Sequence, residues 1–266
     1  MSSASVSARP LRELQPEPGG NGAGLPICSR WSVIAERTVY FGHQSIGNAV
    51  VAGVEALTRQ HVLPLRVVQT WDPAAVTGPA FVHFLAGQNR DYASKNAALL
   101  RLLESRARAR RPVVVLKYCF VDLYSPTDAP TMFEAYCDTV EAIQFEHPDV
   151  TVVHATIPLT TVEGALKSGA MQFAGRPTRR GAAIARHRYN ELVRAEFADT
   201  EPIFDLARVE ATQLDGTRAG FAAGGCMIET LASQNTDDGS HLNPRCRLAA
   251  AETLLDVLSD VIEAAR

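Results

Sequence analysis

A serine near the start of the chain and an Asp-x-x-His segment near its end have the residue types of a nucleophilic hydrolytic site. Ser45 follows the apolar run Thr38–Phe41 in a short turn, and Asp238 precedes His241 by three residues. A serine hydroxyl attacks a carbonyl only when a base accepts its proton, and that base needs a partner that holds its tautomer. This pattern predicts Ser45 as the nucleophile, His241 as the general base and Asp238 as the group that orients it.

The turn that carries Ser45 also has a plainer interpretation. Thr38–Phe41 is β-branched and aromatic, which predicts a short buried strand. Helical spacing begins after the turn, with apolar residues at Ile46, Val50, Val54 and Leu57. A hydroxyl at this junction lies beside helix N–H groups that can stabilise an anion, which suits a nucleophile. A serine at such a position also commonly caps the helix, and the turn alone favours the cap.

Strand and helix alternate about five times along the chain. Predicted strands lie at Thr38–Phe41, Leu65–Trp71, Pro112–Leu116, Val150–Thr156 and Ile203–Leu206. Predicted helices begin near Ile46, Tyr92, Phe133, Gly181 and Pro244, the last with Asn243 as its N-cap. The alternation predicts an α/β fold, a three-layer α/β/α sandwich with a mainly parallel, five-stranded sheet. In such sheets ligands bind at the carboxyl ends of the strands.

The composition predicts a soluble globular protein without a polyanionic partner. The chain has 266 residues, of which 46% are hydrophobic and 21% are charged, and its formal net charge is -3. That charge gives no reason to expect nucleic-acid binding. No apolar run approaches the roughly 20 residues of a membrane helix, and the N-terminus lacks the apolar core of a secretory signal. We therefore expect no membrane association and a cytoplasmic location.

The cysteines and histidines predict neither a disulfide framework nor a metal site. The five cysteines are scattered and never form a C-x-x-C pair, which weakly favours a reducing compartment. Cys119 is a minor alternative nucleophile, since no base is recognisable beside it and apolar neighbours raise a thiol pKa. A metal site built from His43, His83 and His154 lacks a ligand-spacing motif. The turn Gly42–Gly47 lacks both phosphate-cradling glycine patterns, so we expect no cofactor.

The N-terminal residues differ in composition from the rest of the chain. Met1–Arg30 is rich in Ser, Pro, Gly and Ala and cannot bury enough apolar surface to offset its ordering entropy. We therefore predict a disordered tail over residues 1–30 and a single domain over residues 31–266, without internal repeats. The basic run from Arg106 to Arg111 is more typical of a solvated helix C-terminus than of a nucleic-acid patch.

The two ends of the predicted domain resemble the SGNH (GDSL-like) hydrolase superfamily. Its members share a three-layer, flavodoxin-like α/β fold and carry Ser, Gly, Asn and His in separated blocks. Ser45 matches the serine of the first block, Gly-Asp-Ser, although His43 and Gln44 stand where Gly and Asp are expected. Asp238 and His241 match the last block, Asp-x-x-His, in full. The resemblance implies that they act as the orienting acid and the general base.

The two middle blocks match less well. The resemblance implies that Gly87 is the second-block glycine, a backbone oxyanion donor. Lys117–Phe120 stands where the third block, Gly-x-Asn-Asp, is expected, so the side-chain oxyanion donor is missing. Asn89 is a candidate for that amide, or a turn residue, and Lys117 is a candidate cation for the oxyanion or for an acidic substrate group, or a solvated charge. His43 either lines the acyl pocket or is a buried histidine bonded to a backbone carbonyl, which we favour.

These patterns predict a serine hydrolase that cleaves an ester through an acyl-enzyme on Ser45. The resemblance implies that the substrate carries a short O-acyl group on a carbohydrate or small metabolite. One alternative is an O-acyltransferase with the same triad, in which an acceptor alcohol resolves the intermediate. The other is a binding module on a degenerate hydrolase fold, because the first and third blocks are altered. The oligomeric state is not predicted.

Overall fold

The computed structural model describes residues 29–105, 109–124, 128–164, 171, 173–174 and 178–266. Residues 1–28, almost all of the predicted disordered tail, lie outside the described residues, as do residues 106–108 of the basic run. The last two residues assigned to the tail begin the short helix α1 (Ser29–Ser32). Arg30 of this helix pairs with Asp260 of the final helix, so the described part of the domain begins slightly before the predicted boundary.

Six parallel strands form the central sheet of the described chain. They are β1 (Val39–His43), β2 (Val67–Gln69), β3 (Phe81–Leu85), β4 (Val113–Leu116), β5 (Thr151–Ala155) and β6 (Ile203–Phe204). Their order is β2-β3-β1-β4-β5-β6, so β1 lies between β3 and β4. The ladder continues past the strand ends, because the Ala86 N–H donates to the His43 carbonyl oxygen at 3.0 Å and the Lys117 N–H to that of Gly42 at 2.8 Å. The carboxyl ends of β3, β1 and β4 therefore meet at one edge.

The predicted fold class is confirmed, but the sheet has six strands rather than five. The missed strand is β3, which lies in a stretch predicted as a loop. It pairs along its whole length with β1, from Val39 opposite Phe81 to His43 opposite Leu85. The connection before it contains only a short 3-10 turn at Pro73–Ala75. Without a helix between β2 and β3, the strand–helix alternation gives no signal for this strand.

Helices cover both faces of the sheet in the described residues. After α1 they are α2 (Ser45–Gln60), α3 (Tyr92–Glu104), α4 (Ala129–Glu146), α5 (Arg179–Phe197), α6 (Leu206–Ala211) and α7 (Pro244–Ala264). Residues of β1 alternate between the faces: Phe41 packs with α2 and α7, whereas Tyr40 packs with α3, α4 and α5. A small antiparallel hairpin, Gly220–Ala223 with Cys226–Glu229, lies outside the sheet. Within the described ranges, no helix combines the length and apolar character that crossing a bilayer requires.

Helices α2 and α7 pack against each other closely enough to require a glycine. A Cβ added at Gly53 would lie 2.5 Å from the Arg247 carbonyl oxygen and 2.7 Å from the Ala251 Cβ. Helix α2 begins directly after β1, and α7 ends beside Arg37, which precedes β1 and donates to the Ala265 carbonyl oxygen. Both helices therefore run from the carboxyl edge of the sheet to its amino edge. This packing brings the start of α2 and the loop before α7 to the same edge.

Candidate active site

Ser45 is the first residue of α2 and does not cap it. The N-cap position belongs to Gln44, which has extended backbone angles and makes no side-chain capping bond. Among the described residues, the Ser45 hydroxyl makes no hydrogen bond. The first N–H groups of a helix have no intrahelical acceptor, so the hydroxyl lies beside free donors at the positive end of the helix dipole. The cap interpretation of Ser45 is therefore wrong, and its hydroxyl is half-buried and available.

Gln44 ties the serine turn to the loop that follows β3. Its side-chain Nε2 donates to the carbonyl oxygens of Ala86 at 2.8 Å and Gly87 at 3.0 Å. Two bonds from one amide fix the spacing between the nucleophile turn and the candidate oxyanion glycine. In the sequence, Gln44 was recognisable only as a departure from the expected aspartate. Its role depends on the pairing of β1 with the undetected strand β3.

His43 is fully buried beneath the first turn of α2. Its Nδ1 lies 3.0 Å from the Gln44 carbonyl oxygen and its Nε2 lies 3.1 Å from Nδ1 of His83. Burial lowers the pKa of His43 to about 3, so the ring is neutral, and a carbonyl partner requires that Nδ1 carries its proton. A Cβ added at Gly47 would lie 2.2 Å from the Cβ of His43. His43 is thus the buried, backbone-bonded histidine that we favoured, and it does not line an acyl pocket.

Asp238 and His241 form a hydrogen-bonded pair near the start of α7. The Asp238 Oδ2 lies 2.6 Å from the His241 Nδ1. Its Oδ1 accepts the backbone N–H groups of His241 at 2.7 Å and Ser240 at 2.8 Å. These bonds, that of the His241 N–H first, hold the pKa of Asp238 below its usual range, so the carboxylate is ionised at neutral pH. The imidazole Nε2 makes no hydrogen bond with the described residues, and the side chain is half exposed.

The loop that carries this pair is anchored on both sides. The Thr161 N–H donates to the Gly239 carbonyl oxygen at 2.9 Å. Gly239 has a φ of +83°, and a Cβ there would lie 2.6 Å from the Thr161 hydroxyl. Helix α7 starts as predicted, with Asn243 as its N-cap, bonded to the Cys246 N–H at 3.1 Å, and Pro244 as its first residue. The histidine therefore projects from a fixed turn.

The fold brings Ser45 and His241 to the same edge of the sheet. The His241 ring meets the Phe120 ring edge-on, with centroids 6.5 Å apart, and Phe120 follows β4, the neighbour of β1. Among the hydrogen bonds of the described residues, none joins the Ser45 Oγ to the imidazole. Nucleophile–base contacts are often long in free enzymes and shorten when substrate binds. Direct proton transfer between these two groups is therefore part of the functional proposal below.

The loop after β3 presents candidate oxyanion donors. Gly87 has a φ of +54°, and a Cβ there would lie 2.6 Å from the Lys95 backbone nitrogen, so this position requires glycine. Neither the Gly87 N–H nor the Ser45 N–H donates to another described residue. Asn89 is exposed, and its Oδ1 accepts from the Lys95 Nζ at 3.3 Å. That contact leaves the Asn89 amide N–H groups free to donate.

A buried ion pair, Lys95 with Asp122, holds two loops of the site together. Both side chains are fully buried. The Asp122 carboxylate also accepts the N–H groups of Arg90, from the loop after β3, and Cys119, from the loop after β4, each at 2.7 Å. Sequence reasoning missed Lys95. A signal was present, since Lys95 shares the helical face of Ala98, Leu99 and Leu102. A lysine within an apolar stripe indicates a buried partner.

Comparison with known proteins gives matches by structure only. No family model matches the chain, and no curated protein does. A GDSL-like lipase from Bacteroides thetaiotaomicron superposes with a TM-score of 0.51 at 12% identity, over 87% of this chain and 90% of that chain. The chain has the fold of the GDSL-like hydrolases.

Two further GDSL-like structures match at lower similarity. A G-D-S-L family protein from Desulfitobacterium hafniense matches with a TM-score of 0.47 and 12% identity, over 83% of this chain and 99% of that one. A carbohydrate acetylesterase family member from Sinorhizobium meliloti matches with a TM-score of 0.41 and 13% identity, over 75% of this chain and 100% of that one.

Lys117 begins the segment that the sequence comparison set against the third block of the superfamily. Lys117 is fully buried, and its Nζ donates to the Tyr118 carbonyl oxygen at 2.9 Å. Burial lowers the pKa of Lys117, with the carboxyl of Glu210 among its charged neighbours. Because the ammonium group lies beneath the site, we assign Lys117 a supporting position rather than contact with an oxyanion or a substrate.

The three histidines considered as metal ligands do not converge. His43 and His83 are bonded to each other, whereas His154 lies between Tyr136 and Glu201, bonded to them at 2.8 and 3.0 Å. No group of three His, Cys, Asp or Glu side chains in the described residues could hold a metal ion.

Proposed function

We propose that this protein is a serine esterase that cleaves an O-acyl ester through an acyl-enzyme on Ser45. The observation that carries the proposal is the 2.6 Å bond between Asp238 and His241, formed at the sheet edge where Ser45 begins a helix. A carboxylate bonded to Nδ1 leaves Nε2 as the acceptor that a serine proton needs. The fold of the GDSL-like hydrolases supports the same assignment.

In the acylation step, the Ser45 Oγ attacks the ester carbonyl carbon while the His241 Nε2 accepts the hydroxyl proton. The oxyanion of the tetrahedral intermediate is stabilised by the N–H groups of Ser45 and Gly87 and by the Asn89 side-chain amide. The intermediate collapses as the carbon–oxygen bond to the leaving alcohol breaks. The protonated imidazole gives its proton to that oxygen, and the ionised Asp238 stabilises the imidazolium meanwhile.

Hydrolysis then repeats the sequence with water as the nucleophile. His241 accepts a proton from water as the water oxygen attacks the acyl carbon, and the proton passes to the Ser45 oxygen as the carboxylic acid leaves. An acceptor alcohol in place of water would make the protein an O-acyltransferase with the same residues. We take hydrolysis of short O-acyl esters of a carbohydrate or small metabolite as the primary proposal, since half exposure of His241 gives water access.

Labelling with a fluorophosphonate probe tests the nucleophile directly. We expect one probe per chain on Ser45, located by peptide mass spectrometry, and loss of labelling in Ser45→Ala. Ser233→Ala is the matched control, because Ser233 is exposed and outside the site, and it should label like the wild type.

The same experiment separates the enzyme from a degenerate binding module. Absence of labelling at Ser45 in protein with a cooperative unfolding transition would contradict the acyl-enzyme. If labelling succeeds, a panel of short-chain esters, assayed with and without a sugar acceptor, distinguishes hydrolysis from acyl transfer by the product formed.

A further inference from the structure

A small pocket borders the candidate base and is lined by arginines. Its volume is about 260 Å³, below the roughly 300–1,000 Å³ of pockets that hold drug-sized ligands, so it suits a small group. Ser240, the neighbour of His241, lines one side, and Phe120, whose ring meets the His241 ring, lines another. The pocket therefore adjoins the position where the ester would react.

Among the described residues that line the pocket, three side chains are cationic and none is acidic. Arg90 lines it from the loop after β3, and Arg179 and Arg186 line it from α5. Among the described residues, none of the three guanidinium groups is within ion-pair distance of a carboxylate, although the Arg179 backbone N–H donates to the Glu163 carboxylate at 3.0 Å. The carboxyl of Glu210 acts on Arg186, and convergence of three guanidinium groups on one cavity still favours the binding of an anion.

Arg186 gives the strongest indication that this pocket binds a ligand. Only 3% of the surface of this residue is exposed. Two of its N–H groups donate to the Phe120 carbonyl oxygen at 3.1 Å and the Thr160 hydroxyl at 2.9 Å, but its buried Nε has no acceptor. Burial lowers the pKa of Arg186 only to about 10, so it is still a cation at neutral pH. A buried cation with an unused donor is costly unless a ligand completes its bonding.

Arg90 is held at the pocket by the buried ion pair of the site. Its backbone has a φ of +68°, a left-handed conformation that a non-glycine residue adopts at a cost. The Arg90 N–H donates to Asp122 at 2.7 Å, which stabilises this turn. The guanidinium lies over the Tyr124 ring, 5.7 Å from its centroid. The backbone geometry that directs Arg90 to the pocket is therefore built into the loop after β3.

We propose that this pocket binds an anionic group, a carboxylate or a phosphate, carried by the ester on the part that does not react. The proposal rests on the esterase function above and specifies its substrate class: acidic esters rather than neutral ones. Arg179 and Arg186, both on α5, bind the anion together with Arg90 from the loop after β3. Guanidinium groups match the oxygens of a planar carboxylate and those of a tetrahedral phosphate, so both anions fit the arginine-lined pocket.

Matched ester pairs test the proposal and separate the two anions. One pair is 4-nitrophenyl hemiadipate with 4-nitrophenyl hexanoate, and the other is 1-acetylglycerol 3-phosphate with 1-acetylglycerol. We expect kcat/KM to be about tenfold or more higher for the charged member of at least one pair, and this preference to fall as ionic strength rises. Because the carboxylate is on the acyl group of the first ester and the phosphate is on the alcohol of the second, the pair that shows the preference identifies the anion together with the side of the ester that carries it. Equal kcat/KM values within both pairs would overturn the proposal.

Surface variants then assign the preference to the arginines. Arg179→Gln and Arg90→Gln should each lower kcat/KM for the charged ester by about tenfold and for the neutral ester by less than about twofold. Arg188→Gln is the matched control, because Arg188 lies on the same helix, exposed, and outside the pocket. Equal losses for the charged and the neutral ester would contradict an anion site.

A binding measurement keeps this proposal separate from the esterase proposal. Calorimetric titration of Ser45→Ala protein with inorganic phosphate, and separately with succinate, requires no turnover. Saturable binding of either anion to Ser45→Ala, lost in the double variant with Arg179→Gln, supports the site even if no ester is cleaved. Absence of binding for both anions overturns the site even if the protein proves to be an esterase.

Discussion

The Asp238–His241 pair and the Lys95–Asp122 pair lie at the same edge of the sheet and differ in their exposure to solvent. In the first, about half of each side chain is exposed, 55% for Asp238 and 50% for His241. In the second, neither side chain has any exposed surface. Both are acid–base pairs with additional backbone donors to the carboxylate. Only the exposed pair can exchange a proton with a substrate.

The difference between the pairs follows from the cost of desolvating charge. A buried ion pair is stable only if its remaining lone pairs are satisfied, and Asp122 meets that condition with the N–H groups of Arg90 and Cys119. Those bonds fix the two loops. The exposed Asp238 instead fixes the orientation of one ring while leaving the Nε2 of that ring accessible. One pair is therefore architectural, and the other is suited to chemistry.

The largest expected effect is the loss of activity when the exposed pair is altered. Asp238→Asn should lower kcat for an ester substrate by about 10³–10⁴-fold, because an amide facing Nδ1 favours the wrong imidazole tautomer. Stability should change little, because the asparagine oxygen still accepts the two backbone N–H groups. Asp237→Asn, at the exposed neighbouring position, is the control for kcat and for urea unfolding. A kcat within tenfold of the wild type would show that Asp238 does not orient the base.

Altering the buried Lys95–Asp122 pair should mainly lower stability. Lys95→Met leaves Asp122 as an unpaired buried charge and should lower the free energy of unfolding by about 3–5 kcal/mol. Arg59→Met, which removes an exposed pair with Glu55 at 3.9 Å, should change it by less than about 1 kcal/mol. Urea denaturation measures both. If the two variants lose equal stability, burial is not what distinguishes the pairs.

Asn89 connects the buried pair to the proposed chemistry, since its Oδ1 accepts from Lys95. Asn89→Ala should lower kcat by about 10²–10³-fold, the usual cost of removing one oxyanion donor. Gln88→Ala, at the preceding exposed position, provides the comparison for loop disturbance. Unchanged turnover in Asn89→Ala would remove Asn89 from the oxyanion site and leave the two backbone N–H groups as its donors.

The smallest expected effect concerns the titration of Asp238. Its depressed pKa means that the folded state binds fewer protons than the unfolded state, so any contribution to stability is present above about pH 4 and is lost as pH falls through the folded value. The carboxyl carbon, observed by NMR, should titrate below the usual aspartate range. Most of the shift should persist in His241→Ala, because the backbone N–H groups remain. A midpoint in the ordinary range would contradict these bonds.

Local sequence patterns were sufficient to predict the two segments that carry Ser45 and the Asp238–His241 pair. The strand-to-helix turn at Ser45 and the capped start of α7 after His241 are short-range patterns, and the structure has both. The resemblance also pointed to Gly87, where the structure has a positive φ and too little space for a Cβ. The roles of these residues in catalysis are still predictions that the experiments above test.

Two features that sequence reasoning missed, strand β3 and the role of Gln44, depend on pairing between distant segments. No helix separates β3 from β2, so the strand–helix alternation gave no place for β3, although the run Phe81–Leu85 is itself apolar and aromatic. Gln44 acts through carbonyl groups of the loop after that strand. Lys117 was considered as a substrate-binding or oxyanion residue because it lies near the site along the chain, whereas it is fully buried beneath the site.

By itself, the sequence determined the α/β class, the serine turn and the Asp-x-x-His segment, since these depend on periodicity and on contacts within a few residues. Only the tertiary structure decided which polar side chains are buried and which converge. Close packing of α2 on α7 brings Ser45 and the loop with Asp238 and His241 to one edge of the sheet. Segments far apart in the chain meet at one pocket, where they place Arg90, Arg179 and Arg186. Burial and convergence are properties of the packed molecule, because each depends on residues far apart in the chain.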